Sequence, residues 1–134
     1  MPAMTSGPLS STRDALAGLA RATPGLDLLL LHGSRARDGA RAGSDWDFGY
    51  LGDSRLDVFA LLGGLVETLH DDRVDLVNLA TAGGLLRYRA ARDGEVLFES
   101  RPGLGGQFRL DAVGFWCDAQ PLLQPGYQSV LDRL

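Results

Sequence analysis

The sequence predicts an α/β (α+β) domain. Helical and strand periodicities alternate from residue 10 to residue 100. The chain has 134 residues, enough for one core and not for two. Its 45% hydrophobic and 22% charged content is that of an ordinary globular domain. No internal repeat is visible.

Residues 1–9, rich in Pro, Ser, Gly and Thr, are expected to be flexible. Ser10, Ser11 and Thr12 offer N-caps for a helix to about residue 22, with Leu16, Leu19 and Ala20 on one face. Thr23-Pro24-Gly25 ends it. Residues 26–32 are a short, almost wholly apolar run between turn signals, which predicts a buried strand. Residues 33–44, rich in Gly, Ala and Arg, suit one or two helical turns and then a loop. Residues 45–51 alternate as a strand: Trp46, Phe48 and Tyr50 face one way, Asp45, Asp47 and Gly49 the other.

Residues 54–70 give the clearest helix, through Val58, Phe59, Leu62, Leu65, Val66 and Leu69, with Gly63-Gly64 weakening its middle. His70 reads as a C-terminal residue that meets the helix dipole. Residues 73–79 form a strand with Val74 and Leu76 on one face, Asp75 and Val77 on the other. A short helix over 83–92 stops at Asp93-Gly94, and a strand over 95–99 follows. Residues 101–106 read as a Pro/Gly hinge. Beyond it, Phe108, Ala112, Phe115 and Trp116 predict one amphipathic helix, with Cys117 as a small buried residue. Tyr127, Val130, Leu131 and Leu134 predict another, with Pro125 near its start.

Composition removes whole chemistries. All thirteen basic residues are Arg. A Walker-type phosphate loop, a Schiff-base enzyme and a protein kinase all need a Lys, and none is present. One Cys and two His are too few for a four-ligand Cys/His zinc site, and a disulfide within the chain is impossible. A net charge of −4 leaves no basic surplus for stable nucleic-acid binding. No apolar run approaches a membrane span and no signal-peptide pattern opens the chain, so a cytoplasmic protein without a membrane partner is expected.

Carboxylate, hydroxyl, Arg and metal chemistry remain. Asp45 and Asp47, one position apart on a strand, share a face at roughly 7 Å along the chain. Like charges held so close are unfavourable unless a cation sits with them. Mg²⁺ is bound in this way, by one or two carboxylates with waters and substrate phosphates. Asp75 lies on another strand, and three carboxylates converge if the two strands are neighbours. Gly33 and Ser34 follow a buried strand and precede a plausible helix start, where backbone N–H groups favour phosphate. Arg35, Arg37 and Arg41 are close enough in sequence to neutralise a triphosphate.

The Gly-Ser pair, ten intervening residues, Asp-x-Asp and a further strand Asp about thirty residues on resemble the minimal nucleotidyltransferase domain of the polymerase-β-like superfamily. More narrowly, they resemble the MNT antitoxins of HEPN/MNT (type VII) toxin–antitoxin pairs, over residues 28–99. The resemblance implies a small mixed β-sheet flanked by helices, a nucleotidyltransferase domain over 10–100, and a helical tail over 101–134 that docks a partner. It further implies that Gly33 and Ser34 bind the nucleotide; Arg35 and Arg37, by their nearness in sequence, are expected to join them. Asp45, Asp47 and Asp75 would hold Mg²⁺ and form the catalytic triad, with Asp75 helping to deprotonate the attacking hydroxyl. The implied reaction moves AMP from ATP to a Tyr hydroxyl of a cognate HEPN RNase toxin.

Two departures exist. His32 stands where the family commonly has an aromatic or aliphatic residue, and Asp38 where it has Gly, with Gly39 one place later. A small-molecule nucleotidyltransferase of the aminoglycoside type shares the Asp-x-Asp chemistry, although residues 101–134 leave little chain for a second, enclosing domain. A non-catalytic module that binds a toxin is the third alternative. The chain does not resemble the toxin itself: HEPN RNases carry an Arg, four to six residues and then His, and neither His32 nor His70 has an Arg at that distance upstream.

Overall fold

The computed structural model describes residues 8–33 and 45–123. Within them the order is α1 (Pro8–Arg21), β1 (Leu26–His32), β2 (Trp46–Gly52), α2 (Val58–Leu69), β3 (Val74–Asn78), α3 (Gly84–Asp93), β4 (Glu95–Glu99) and α4 (Leu104–Leu123). Of the segment expected to be flexible at 1–9, residues 8 and 9 open α1 and the rest lie outside the described residues, as do residues 34–44 of the expected short helix and loop and the second tail helix around Tyr127 to Leu134.

The four strands form one mixed sheet in the order β3-β2-β1-β4. β1 is antiparallel to both β2 and β4, whereas β2 and β3 run parallel with α2 as their crossover. This is the α+β class that the alternation predicts, with the mixed sheet that the resemblance implies. β1 is central because its Leu-Asp-Leu-Leu-Leu-Leu-His run is apolar on both faces. Leu29 and Leu31 join Trp46, Phe48, Tyr50, Leu16, Ala20, Leu61 and Leu65 in a core beneath α1 and α2. Leu28 and Leu30 join Leu79, Ala90, Ala91, Phe108 and Ala112 in a second core beneath α3 and α4.

Several boundaries differ from the expected ones for local reasons. α1 opens at Pro8, so Ser10, Ser11 and Thr12 fall within the helix instead of capping it. α2 begins at Val58, not at residue 54. Asp53 accepts the Arg55 N–H at 2.9 Å in a turn, and Asp57 caps the helix by accepting the Ala60 N–H at 3.0 Å. Its buried face is Leu61 and Leu65, and Phe59 is 86% exposed. His70 closes the helix with φ 53°, its N–H donating to the Val66 carbonyl.

The expected hinge over 101–106 is shorter than the sequence suggests. α4 starts at Leu104, where the Gly105 N–H donates to Glu99 Oε1 at 2.8 Å. A Cβ at Gly105 would lie 2.7 Å from the Val96 side chain, so the missing side chain lets the first turn of α4 rest on β4. Phe108, Ala112 and Trp116 then point inward at four-residue spacing. Phe115, expected on that face, is 56% exposed, and Cys117 is exposed where a buried residue was expected.

Candidate active site

β1 ends where β2 and β3 begin, so one end of the sheet gathers His32, Asp47 and Asp75. His32 pairs across the antiparallel ladder with Asp47, and Asp47 pairs across the parallel ladder with Asp75. The three form a row across neighbouring strands, stepped by about 4.8 Å. Strand alternation sends Phe48 and Trp46 into the core below α1 and α2, and so turns Asp47 to the opposite face. α3 and α4 cover that face over β1 and β4. Over β2 and β3 it opens into a cavity of about 420 Å³, floored by His32, Gly33, Asp47 and Asp75.

Each floor residue is held there by its surroundings. Gly33 has φ +73°, and a Cβ at that position would run into the Asp47 carboxylate. The glycine is therefore required twice, by its left-handed backbone and by the acidic neighbour that fills the vacant space. His32 is 8% exposed, and its Nε2 has no hydrogen-bond partner among the described residues. Burial holds the imidazole below its ordinary pKa, against the pull of Asp47, a hydrogen bond to the Phe48 backbone, and Asp75. Burial likewise raises the Asp47 carboxyl above the usual range; His32 lowers it, while Asp75 and Asp45 push it further up.

The expected strand adjacency holds: β2 and β3 are neighbours, with Asp47 and Asp75 in register. β3 is the edge strand of the sheet and Asp75 is exposed. Asp45 stands one residue ahead of β2, also exposed, where the Trp46 N–H donates to the Arg73 carbonyl at 2.9 Å. It borders a smaller cleft of about 220 Å³ with Asp72, Arg73, Val74 and Asp75, so Asp75 lines both openings. Among the described residues no three Asp, Glu, His or Cys side chains form a set that holds a metal ion alone. Two carboxylates on one face suit Mg²⁺ all the same, because that ion completes its six oxygens with waters and substrate phosphates. Ser34, Arg35, Arg37 and Arg41 lie outside the described residues.

The cavity has a second wall that the sequence did not single out. α3 contributes Leu86, Arg89, Arg92 and Asp93, which recur along one side of the helix. Arg92 donates through Nε and Nη2 to the Asp93 carboxylate at 3.0 and 2.9 Å and lies 5.6 Å from the Tyr88 ring centroid. Arg89 is exposed and makes no ion pair with a described carboxylate. The available signal was a helix whose apolar Leu86 is followed at helical spacing by charges. It gains meaning only once α3 is known to face Asp47 and Asp75.

Acidic floor, cationic wall and a glycine-terminated strand together suit a metal-bound polyphosphate. Residues 15–102 match the family Polymerase beta, Nucleotidyltransferase. The protein adenylyltransferase MntA of Aphanizomenon flos-aquae (strain 2012/KM1/D3) is 35% identical over 88 residues, covering 57% of this chain and 59% of that protein. The chain thus spans about three-fifths of the length of the curated relative it matches. Among solved structures, a toxin–antitoxin with AMP-PNP is similar at a TM-score of 0.70 and 25% identity, over 90% of this chain and 96% of that one. A mutant MntA–HpeT toxin–antitoxin gives 0.68 at 27% identity, over 90% and 94%. The tri-AMPylated Shewanella oneidensis HEPN toxin in complex with MNT antitoxin gives 0.67 at 23% identity, over 93% and 97%, a likeness of fold. With well over half of its length matched, the chain belongs to the polymerase beta nucleotidyltransferase family.

Proposed function

We propose that this chain is an antitoxin nucleotidyltransferase, which moves AMP from ATP to a Tyr hydroxyl of a cognate HEPN RNase toxin and so silences it. The observation that carries the proposal is the register of Asp47 beside Asp75 on the open face of the sheet, in a cavity that ends at Gly33. Two neighbouring carboxylates of like charge, one of them already resisting ionisation, are what a divalent cation relieves. The 35% identity to a protein adenylyltransferase supports the reaction type, and the likeness to toxin–antitoxin structures supports the partner.

In this scheme Asp45, Asp47 and Asp75 hold Mg²⁺, which supplies charge neutralisation at the phosphates. Gly33 and Ser34, with Arg35 and Arg37, bind the triphosphate. Asp75 helps to take the proton from the Tyr hydroxyl as its oxygen attacks the α-phosphorus. The bond to the bridging oxygen breaks, and pyrophosphate leaves. Residues 101–134 dock the partner, and the exposed Leu110, Val113 and Phe115 on α4 support that role. The cytoplasm is the proposed compartment; no described helix is long and apolar enough to cross a membrane.

Incubation with labelled ATP, Mg²⁺ and the cognate toxin tests the proposal. Label is expected on a toxin Tyr, and the Asp45→Asn, Asp47→Asn double variant is expected to lose transfer by at least about a hundredfold. Toxin neutralisation that persists in that variant, with no label moved, would show a binding module instead of an enzyme. Label on an aminoglycoside and none on the toxin would show a small-molecule enzyme.

A further inference from the structure

We propose that Arg89 is the nucleotide's polyphosphate contact on the α3 wall, a binding residue that the glycine-serine and aspartate motifs do not contain. The inference rests on the cavity being the nucleotide site. Its warrant is a charge inventory of that cavity. Asp47 and Asp75 line the floor, and a polyphosphate drawn in beside them brings several more negative charges. A cation shared with the carboxylates offsets only part of this, so a donor on the α3 wall adds to the Arg35 and Arg37 contacts of the proposed function.

Two guanidiniums stand on that wall, and they are not equivalent. Arg92 is committed: Nε and Nη2 both bond the Asp93 carboxylate, and its guanidinium lies near the Tyr88 ring. Arg89, one turn earlier on the same side of α3, lines the cavity with no ion pair to a described carboxylate. Its five N–H donors suit two phosphate oxygens at once. The described lining holds no Phe, Tyr or Trp on which a base would stack, only Val77 and Leu86 as apolar side chains. Arg89 therefore recognises charge on the ligand and not the base.

Titration of the full chain with ATP and with adenosine, both in Mg²⁺, tests this. Arg89→Gln is expected to weaken ATP binding about ten- to a hundredfold, the loss of one charged hydrogen-bonding partner. Adenosine affinity stays within about twofold. Arg89→Lys recovers part of the ATP affinity, because it restores the charge without the fork. The thermal melt of Arg89→Gln is expected to match wild type, since the side chain is exposed and makes no ion pair with a described carboxylate. In transfer assays the KM for ATP rises while the KM for the protein acceptor holds. Unchanged ATP affinity in Arg89→Gln overturns the inference, and so does an equal loss for ATP and adenosine, or a rise confined to the acceptor's KM. Wild type that binds ATP with this Arg89 dependence but labels no toxin sinks the proposed function and leaves the inference standing. Wild type that binds no ATP sinks both.

Discussion

His32 shows how much a single residue's meaning depends on what folds around it. In the sequence it is the last residue of an apolar run; in the structure it is buried beside Asp47, with Asp75 beyond. Above pH about 6.5 the ring is neutral whether the chain is folded or not, so it costs nothing. As pH falls below that value the unfolded chain takes up a proton that the fold resists, and stability declines towards the lowered folded pKa. Asp47 works in the opposite direction: its raised pKa makes ionisation in the fold unfavourable as pH rises from about 3.8. His32→Phe is therefore expected to flatten the fall in melting temperature between about pH 6.5 and 5, measured by thermal melts across that window. An equal fall in wild type and variant would clear His32 of responsibility. The facing of Asp47 away from Trp46 and Phe48 and the turn at Gly33 were legible, because strand alternation and a tight turn are local properties; Asp45, expected on the same strand face, stands ahead of β2 beside the smaller cleft. The neighbours of His32 across the ladder and the exposed state of Cys117 were not legible, since both depend on a partner element. Phe108, Ala112 and Trp116 take the inward positions of α4, which leaves Cys117 just past the covered face.

α2 makes the corresponding point for an element. Its interior was legible from the apolar spacing, but its start was not, because Asp53, Ser54 and Asp57 are all residues that favour turns or caps. The structure separates them: Asp53 closes a turn with Arg55, and Asp57 alone caps the helix. Its buried face is Leu61 and Leu65, with Leu69 packing at its edge, and Phe59 stays in solvent. Asp57→Ala is expected to cost about 1 kcal/mol in urea unfolding, the usual value of an N-cap acceptor, with no effect on nucleotide affinity. α2 packs on the face away from the cavity, against α1 and β3, so a loss of ATP binding in this variant would contradict the separation of the two faces.

The sheet joins those two faces. The alternation of helices and strands yields the α+β class, but alternation carries no information on which strands pair. The order β3-β2-β1-β4 depends on contacts distant in sequence, such as β1 with β4. What was legible was the burial of β1, whose leucines leave neither face free for solvent. That strand is also the mechanical link between the cores: Leu29 belongs to one and Leu30, the next residue, to the other. Loss of packing above the sheet therefore loosens the same backbone that the lower core rests on. Each face carries a tryptophan reporter, Trp46 in the α1/α2 core and Trp116 stacked on Tyr88 at 5.2 Å between ring centroids. Leu30→Ala, in single-tryptophan backgrounds made with Trp46→Phe or Trp116→Phe, is expected to destabilise by about 2–5 kcal/mol. Both reporters are expected to move together in one denaturant transition. A Trp116 transition that shifts while Trp46 stays in place would mean that α3 and α4 open as a separate unit. The cavity wall bearing Arg89 would then loosen without loss of the aspartate floor, because Asp47 and Asp75 are held by β2 and β3 alone.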